Sequence, residues 1–266
     1  MRILLAVLCM IPAMSAGMAR AVEPARIYAA GSLSGVLPAM IIASGLSADS
    51  FAPVVFGPAG VLGQRILKGE TVDLFASADL TQPRHVVAAK GGLVVPFARN
   101  RMCVLAPDNL HLTRDTLLDR LLSPQLRLAT STPAMDPSGD YAMALFDKAE
   151  ALRPGAKATL SGKALMLLVG ANAVTPQAGH SVPATVFLGN HADAILSYCS
   201  SATATAKELP NLAVTQVPYG LEVNPVYGLA ILSKRPAVTR LALFILSEQG
   251  QKMLAEAGLL PLIDAP

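Results

Sequence analysis

Four short polar segments, each placed between an apolar run and a predicted helix, carry the residues best suited to bind a ligand. Each segment offers a hydroxyl group, or small residues that leave backbone N–H groups uncovered. The first turn of a helix has N–H groups without an intrahelical acceptor and carries a partial positive charge. A strand-to-helix corner of this kind binds anions readily. The candidate residues at the four corners are Ser32, Ala59, Ser138 and Tyr198.

The four corners contain no lysine or arginine, so they offer the chemistry of neutral hydrogen-bond donors. A buried dianion can be held by uncharged donors if nearly all of its oxygen atoms accept hydrogen bonds. Such a site selects a fully ionised tetrahedral oxyanion, because it supplies donors and almost no acceptors. Each corner alone also fits an ordinary helix cap, as Asp136 and Pro137 illustrate. The inference rests on the set, since two corners lie in each half of the chain.

Strands and helices alternate along the chain, and this alternation predicts parallel sheets that are covered by helices on both faces. Ligands bind such sheets outside the carboxyl ends of their strands. Extended crossings near 97–101 and 220–225 would join two such blocks and act as hinges. The expected strands are 27–30, 51–56, 72–77, 102–106, 126–129, 194–198, 214–217 and 226–232, and the expected helices are 33–44, 61–67, 85–90, 115–122, 141–152, 160–169, 200–207, 238–246 and 248–257.

Residues 1–21 have the features of a secretory signal peptide. A positive start at Arg2 is followed by an apolar run, and Ala19-Arg20-Ala21 fits an A-x-A cleavage site. The apolar run is shorter than the roughly 20 residues that a membrane span needs. Two of the 21 basic residues belong to this leader, so the mature chain is nearly neutral beside its 18 acidic residues. With no basic run and no Trp, the composition excludes a nucleic-acid-binding surface.

Cys103 and Cys199 are the two cysteines that remain after removal of the leader. Export to an oxidising compartment permits a disulfide between them. Two buried free thiols that pack as small hydrophobic groups are the equally weighted alternative.

Several motifs resemble those of periplasmic molybdate-binding proteins of ABC importers, over nearly the whole mature chain. The resemblance implies a two-lobed type II periplasmic-binding fold of the α/β class, each lobe a mostly parallel sheet flanked by helices. It implies one lobe of residues 22–98 and 222–266 and a second lobe of residues 99–221. The motifs are Ala29-Ala-Gly-Ser-Leu33, Gly60-Val-Leu-Gly-Gln-Arg-Ile66, Asp73-Leu-Phe-Ala-Ser-Ala-Asp79, Asp136-Pro-Ser-Gly-Asp-Tyr141 and the closing helices 244–258.

The same resemblance implies a molybdate or tungstate ligand between the lobes and assigns residues to it. The first serine of the family falls on Ser32, and the second falls on Ala59, which can offer only its amide. A backbone donor falls on Ser138, and the tyrosine falls on Tyr198. Counting back from Tyr198 without gaps places the remaining backbone donor near His180. The expected protein is a periplasmic monomer that needs no cofactor and delivers its ligand to a membrane permease.

Two other functions are weighed against this one. The same fold could bind a sulfate-like anion, a metal ion or a metal complex, with His180, Tyr198, Cys199, Asp136 and Asp140 as candidate metal-binding groups. No CxxC or HxxxH spacing supports a metal cage. An enzyme is the least supported alternative, because the sequence has no G-x-S-x-G elbow, P-loop or HExxH motif. We therefore expect a binding protein that is not an enzyme.

Overall fold

The computed structural model describes residues 23–262, so the predicted signal peptide, residues 1–21, lies outside the described residues. In this part of the chain ten strands form two five-stranded sheets. The first sheet has the strand order β2-β1-β3-β10-β4, and the second has the order β7-β6-β8-β5-β9. The strands are β1 Ile27–Ala30, β2 Val55–Gly57, β3 Leu74–Ser77, β4 Leu93–Arg99, β5 Met102–Pro107, β6 Leu128–Thr130, β7 Leu165–Met166, β8 Ala194–Tyr198, β9 Leu212–Gln216 and β10 Val226–Ile231.

Ten α-helices within the described residues connect and cover these strands. They are α1 Leu37–Ala43, α2 Ala59–Leu67, α3 Thr81–Lys90, α4 Leu117–Leu122, α5 Pro137–Leu152, α6 Ala156–Lys163, α7 Val182–Leu188, α8 Cys199–Glu208, α9 Pro236–Leu246 and α10 Glu248–Glu256. Across residues 23–262, none of the helices has the length and apolar character needed to cross a membrane.

In each sheet four strands point the same way and one strand is reversed. β1 pairs in parallel with β2 and β3, and β6 pairs in parallel with β7 and β8. The reversed strands are β10 and β5, each antiparallel to both of its neighbours. Each reversed strand is the first that the chain forms after crossing from the other sheet. The structure thus confirms an α/β fold with two mostly parallel sheets flanked by helices.

The central strands are buried on both faces, which explains their apolar sequences. Every residue of β1, β3 and β8 is buried. A strand that is covered by helices on both faces has no solvent side, so its sequence shows a continuous apolar run and not an alternating one. Large side chains such as Phe75, Phe97 and Phe146 fill the space between sheets and helices.

Several predicted boundaries were wrong for local reasons. The helix expected at 33–44 begins at Leu37, because Pro38 has no N–H and suits only a first turn. Residues 31–33 before it form a short 3-10 turn. The strand expected at 51–56 is reduced to β2, with Phe51 making an isolated bridge to Ala25. The helix expected at 160–169 ends at Lys163, and the chain continues as the edge strand β7.

The chain crosses between the sheets at residues 100–101, after β4, and at residues 217–225, after β9. These crossings overlap the segments expected to act as hinges. Near the carboxyl end of the described residues, Leu260 and Arg99 exchange two backbone hydrogen bonds of 2.8 Å. The lobe boundaries, with residues 22–98 and 222–266 in one lobe and residues 99–221 in the other, stay a prediction, as does the hinge motion.

A disulfide joins Cys103 in β5 to Cys199, the first residue of α8. The two residues are separated by 96 positions in the sequence, and their Cα atoms lie 4.8 Å apart. Of the two alternatives left open by the sequence, the structure therefore contains the disulfide. The bond ties the start of α8 to the strand that enters the second sheet.

We predict that removal of this disulfide lowers the stability of the protein. A cross-link over a loop of this length stabilises a fold by about 2–5 kcal/mol, chiefly by restricting the unfolded chain. The variant Cys103→Ala/Cys199→Ala should therefore show a lower midpoint in urea denaturation than the oxidised protein. The unmodified protein measured in excess reductant is the control and should match the variant. Equal midpoints for oxidised protein and variant would contradict the prediction.

Candidate ligand-binding site

The carboxyl ends of parallel strands from both sheets meet at one cavity of about 720 Å³. The first sheet contributes the residues that follow β1, the end of β2 and the residue after β3. The second sheet contributes the end of β8 and the start of α5. This is the edge at which an α/β sheet generally binds its ligand. The cavity residues at these strand ends are Gly31, Ser32, Gly57, Pro58, Ala78, Asp136, Ser138 and Tyr198.

Two hydroxyl groups from the second sheet are buried at this cavity without a protein partner. Ser138 is 3% exposed and Tyr198 is 4% exposed, and neither hydroxyl has a hydrogen bond among the described residues. Burial raises the pKa of Tyr198, so its phenol is protonated and can donate. A buried polar group without a partner costs about 1–3 kcal/mol. The two hydroxyls are therefore suited to bind a ligand that supplies acceptor atoms.

Ser32 is oriented from behind by a chain of hydrogen bonds. Its Oγ lies 2.9 Å from the Oη of Tyr227, and the Nδ2 of Asn100 donates to that Oη at 3.1 Å. Because the Tyr227 oxygen accepts from Asn100, its own proton can be donated to Ser32. The Ser32 proton is then free to point into the cavity. Successive hydrogen bonds of this kind polarise one another, which strengthens the terminal donor.

Three helices of eight or more residues begin beside the cavity. They are α2 after β2, α5 after Asp136, and α8 after Tyr198. Their first-turn N–H groups have no intrahelical acceptor and add positive potential. Ala59, the first residue of α2, is fully buried, and the cavity wall at this corner consists of Gly57 and Pro58. Ala59 is therefore not part of the cavity wall, and its predicted role as a backbone donor stays a prediction.

His180 is not brought to the cavity, and this part of the predicted site needs correction. Its backbone N–H donates to the Gln177 carbonyl at 3.0 Å. Its ring Nδ1 lies 2.8 Å from Glu208 Oε1. The next residue, Ser181, does line the cavity, but its hydroxyl donates to Glu208 at 2.7 Å. The count back from Tyr198 failed because loop 171–181 is not regular secondary structure, so sequence distance does not fix position there.

Asp136 places a carboxyl group in the cavity wall, which the sequence analysis interpreted only as a helix cap. The pKa of Asp136 is raised to about 6, chiefly by desolvation and also by the nearby acids Asp140 and Asp79. The Ser131 hydroxyl and the Ser138 N–H act in the opposite direction by stabilising the ionised form. The wall is thus not made of donors alone. Asp136 is the first residue of the sequence motif 136–141, but nothing in the sequence indicated that this residue would line a cavity.

A contact next to the cavity residues Pro58 and Asp136 joins α2 to the loop before α5. The Val61 N–H donates to the Met135 carbonyl at 3.2 Å. Gly60 packs so closely here that a Cβ at this position would lie 2.7 Å from the Met135 oxygen and would overlap the Ala134 oxygen. Because Gly60 follows β2 and Met135 follows β6, the contact joins structure from the two sheets.

The candidate metal-binding groups are not brought together as a metal site. Cys199 is bonded to Cys103, and His180 is paired with Glu208 away from the cavity. Within residues 23–262, no group of three or more His, Cys, Asp and Glu side chains could hold a metal ion.

Comparison with solved structures shows the same fold in binding proteins of several specificities. The sulfate-binding protein of Mycobacterium tuberculosis H37Rv matches with a TM-score of 0.72, at 19% identity, over 91% of this chain and 88% of that one. The periplasmic molybdate-binding protein of Azotobacter vinelandii matches with a TM-score of 0.65, at 16% identity, over 89% of this chain and 98% of that one. At these identities the likeness shows the fold alone.

Comparison of sequences identifies the family. An uncharacterised protein of Pasteurella multocida is 36% identical over 210 residues, which cover 78% of this chain and 86% of the relative. A family model described as bacterial extracellular solute-binding protein matches residues 25–260. The chain therefore belongs to the bacterial extracellular solute-binding protein family.

Proposed function

We propose that this protein is the receptor of an ABC importer and that it captures a tetrahedral oxyanion in the cavity between its two sheets. The observation that carries the proposal is the pair of buried hydroxyls on Ser138 and Tyr198, which lack partners and belong to residues that line the same cavity as Ser32. Donors from both sheets would surround an anion and favour the closed arrangement. The activity proposed is binding and delivery to a membrane permease, with no catalytic step.

The electrostatics of the wall support an anion held without a charged partner. The one lysine of the cavity wall is Lys207, eight residues after the start of α8 and so about 12 Å along that helix. Closer to the strand ends, the described wall residues offer hydroxyl groups and the N-terminal ends of α2, α5 and α8 in place of a charged side-chain donor. Uncharged donors can hold a desolvated dianion when nearly all its oxygen atoms are satisfied.

Molybdate and tungstate are the first candidates for the anion. They are supported by the motifs shared with periplasmic molybdate-binding proteins and by the likeness in fold to the A. vinelandii protein. Sulfate is the second candidate, supported by the likeness to the M. tuberculosis protein. Neutral donors suit all three dianions, so cavity size and the Asp136 carboxylate would decide between them. Calorimetry with molybdate, tungstate and sulfate tests the proposal, and absence of binding to all three would refute it for bare anions.

We propose a periplasmic location for the protein, as the family of extracellular solute-binding proteins and the predicted signal peptide suggest. In that compartment the Cys103–Cys199 disulfide would be stable against reduction. Cell fractionation of the source bacterium, with immunodetection of the mature chain, checks this location.

Substitution Tyr198→Phe should weaken oxyanion binding while leaving the fold at least as stable. The buried phenol has no partner in the unliganded protein, so its loss removes a desolvation cost. A hydrogen bond to a charged ligand contributes about 1.5–3 kcal/mol, which predicts an affinity loss of at least about tenfold. Calorimetry and urea denaturation measure the two effects. Tyr219→Phe, at a residue that is 77% exposed, is the matched control, and equal effects of both variants would contradict the prediction.

Substitution Gly60→Ala should weaken binding by preventing the close contact between α2 and the loop before α5. The added Cβ would overlap the Ala134 carbonyl, so α2 and the loop before α5 must separate. Because the ligand is bound from both sheets, separation should lower affinity at least fivefold while thermal stability changes little. Gly162→Ala, in a helix with open space around the glycine, is the control. Calorimetry checks the affinity, and unchanged affinity in Gly60→Ala would show that this contact is not part of the bound state.

Oxyanion affinity should rise as the pH falls from 8 to 5. The pKa of Asp136 is raised to about 6, so its carboxylate is charged above that pH and repels an anion, whereas the protonated form does not. Sulfate stays a dianion over this range and is a suitable probe. Asp136→Asn should bind sulfate more tightly at pH 8 and should flatten the pH dependence. Asp108→Asn, at an exposed acid outside the cavity, is the control, and a pH profile unchanged by Asp136→Asn would contradict this account.

A further inference from the structure

The cavity is much larger than a bare oxyanion requires. Its volume is about 720 Å³. A water molecule occupies about 30 Å³ of liquid, and an anion with four oxygen atoms takes up roughly the space of three waters. Sites for small organic molecules usually measure about 300–1,000 Å³. The volume therefore falls in the range of an organic ligand.

The wall of the cavity also extends beyond the strand ends, because residues of α7, α8 and the end of α10 contribute to it. The Val61 N–H donates to the Met135 carbonyl, and Gly60 packs against the same loop. The two halves of the structure are therefore already in contact, and the volume is that of a cavity between halves that touch.

The chemistry of the wall changes along this extension. Near the strand ends the wall carries the hydroxyls of Ser32, Ser138 and Tyr198. The same wall has an apolar section, which is formed by Val36, Leu168, Val169, Val182 and Pro183. Exposed residues of α8, namely Thr203, Ala204 and Lys207, and Glu256 at the end of α10 also line the cavity. An inorganic anion has no apolar surface to bury against the apolar section.

Asp136 adds a second argument from hydrogen-bonding capacity. Its carboxylate accepts hydrogen bonds from Ser131 and Ser138, and it has acceptor sites left for a donor group of the ligand. A fully ionised inorganic oxyanion has none to give. A ligand with a hydroxyl or amino group close to its anionic group can supply one and would pair with Asp136 without repulsion.

We propose that the natural ligand is an organic molecule that carries one tetrahedral oxyanion group, of the phosphate monoester or sulfonate class. The oxyanion group binds at the three hydroxyls, and the organic part lies along the apolar section toward the exposed face of α8. This inference rests on the proposed oxyanion site and specifies what is attached to the anion.

The test compares bare and substituted anions by calorimetry on the mature protein. Inorganic phosphate, glycerol phosphate and phenyl phosphate form one series, and sulfate, hydroxyethanesulfonate and benzenesulfonate form the other, with molybdate and tungstate measured alongside. At least one substituted anion should bind tenfold more tightly than the bare anion of its series. The better series identifies the anionic group.

The variant Ala204→Trp locates the organic part. Ala204 is on the exposed face of α8, so a large side chain there fills the outer cavity without disturbing the core. It should reduce the affinity for the substituted anion at least tenfold and change that for the bare anion less than twofold. Ala158→Trp, at an exposed helical position outside the cavity, should change neither.

The outcomes separate this inference from the proposed function. Tightest binding of bare molybdate, tungstate, sulfate or phosphate would overturn the organic ligand and leave the oxyanion site standing. A substituted anion whose affinity is unaffected by Ala204→Trp would overturn its placement along α8. Absence of binding in all series would overturn the oxyanion site and this inference together.

Discussion

The side-chain amide of Asn100 joins the two sheets where the chain first crosses between them, and the geometry of the site depends on this contact. Its Nδ2 donates to the Ser200 hydroxyl of α8 at 2.8 Å and to the Tyr227 hydroxyl of β10 at 3.1 Å, while its Oδ1 accepts from the Arg101 N–H at 2.8 Å. The residue is buried, so these bonds face little competition from water. The Asn100 side chain therefore links α8 to β10, the strand whose Tyr227 hydroxyl pairs with Ser32.

The polar groups of the cavity are distributed unequally between the two halves. On the first-sheet side, Ser32 already has a partner in Tyr227. On the second-sheet side, Ser138 and Tyr198 have none, and the neighbouring hydroxyl of Thr130 is also buried without a partner. Folded proteins usually satisfy buried polar groups, so a cluster of exceptions calls for an explanation. A ligand that supplies acceptor atoms explains the two at the cavity and would compensate for their desolvation.

The sequence predicted those parts of the site that follow from strand ends, and it failed where position depends on distant contacts. Ser32, Ser138 and Tyr198 line one cavity because each stands where a predicted parallel strand or its following loop leads to a helix. The backbone N–H of Ser138, which was the predicted donor, interacts with the Asp136 carboxylate. The role of these residues in ligand binding stays a prediction. His180 was misplaced because loop 171–181 has no repeat that fixes its path. Asn100 was missed, because a single amide in a predicted hinge gives no sign of its three hydrogen bonds.

The two sides of the site are both held by the same short crossing. Ser32 is held through Tyr227 by Asn100, and Tyr198 is followed by Cys199, whose N–H donates to the Arg101 carbonyl at 2.8 Å. The disulfide attaches Cys199 to β5 directly after that crossing, and the rings of Tyr198 and Tyr227 lie 5.7 Å apart. A ligand that contacts Ser32 and Tyr198 together therefore acts on both sides of residues 100–101. Residues 100–101 form one of the two crossings between the sheets, and groups from both halves of the candidate site are attached to this crossing.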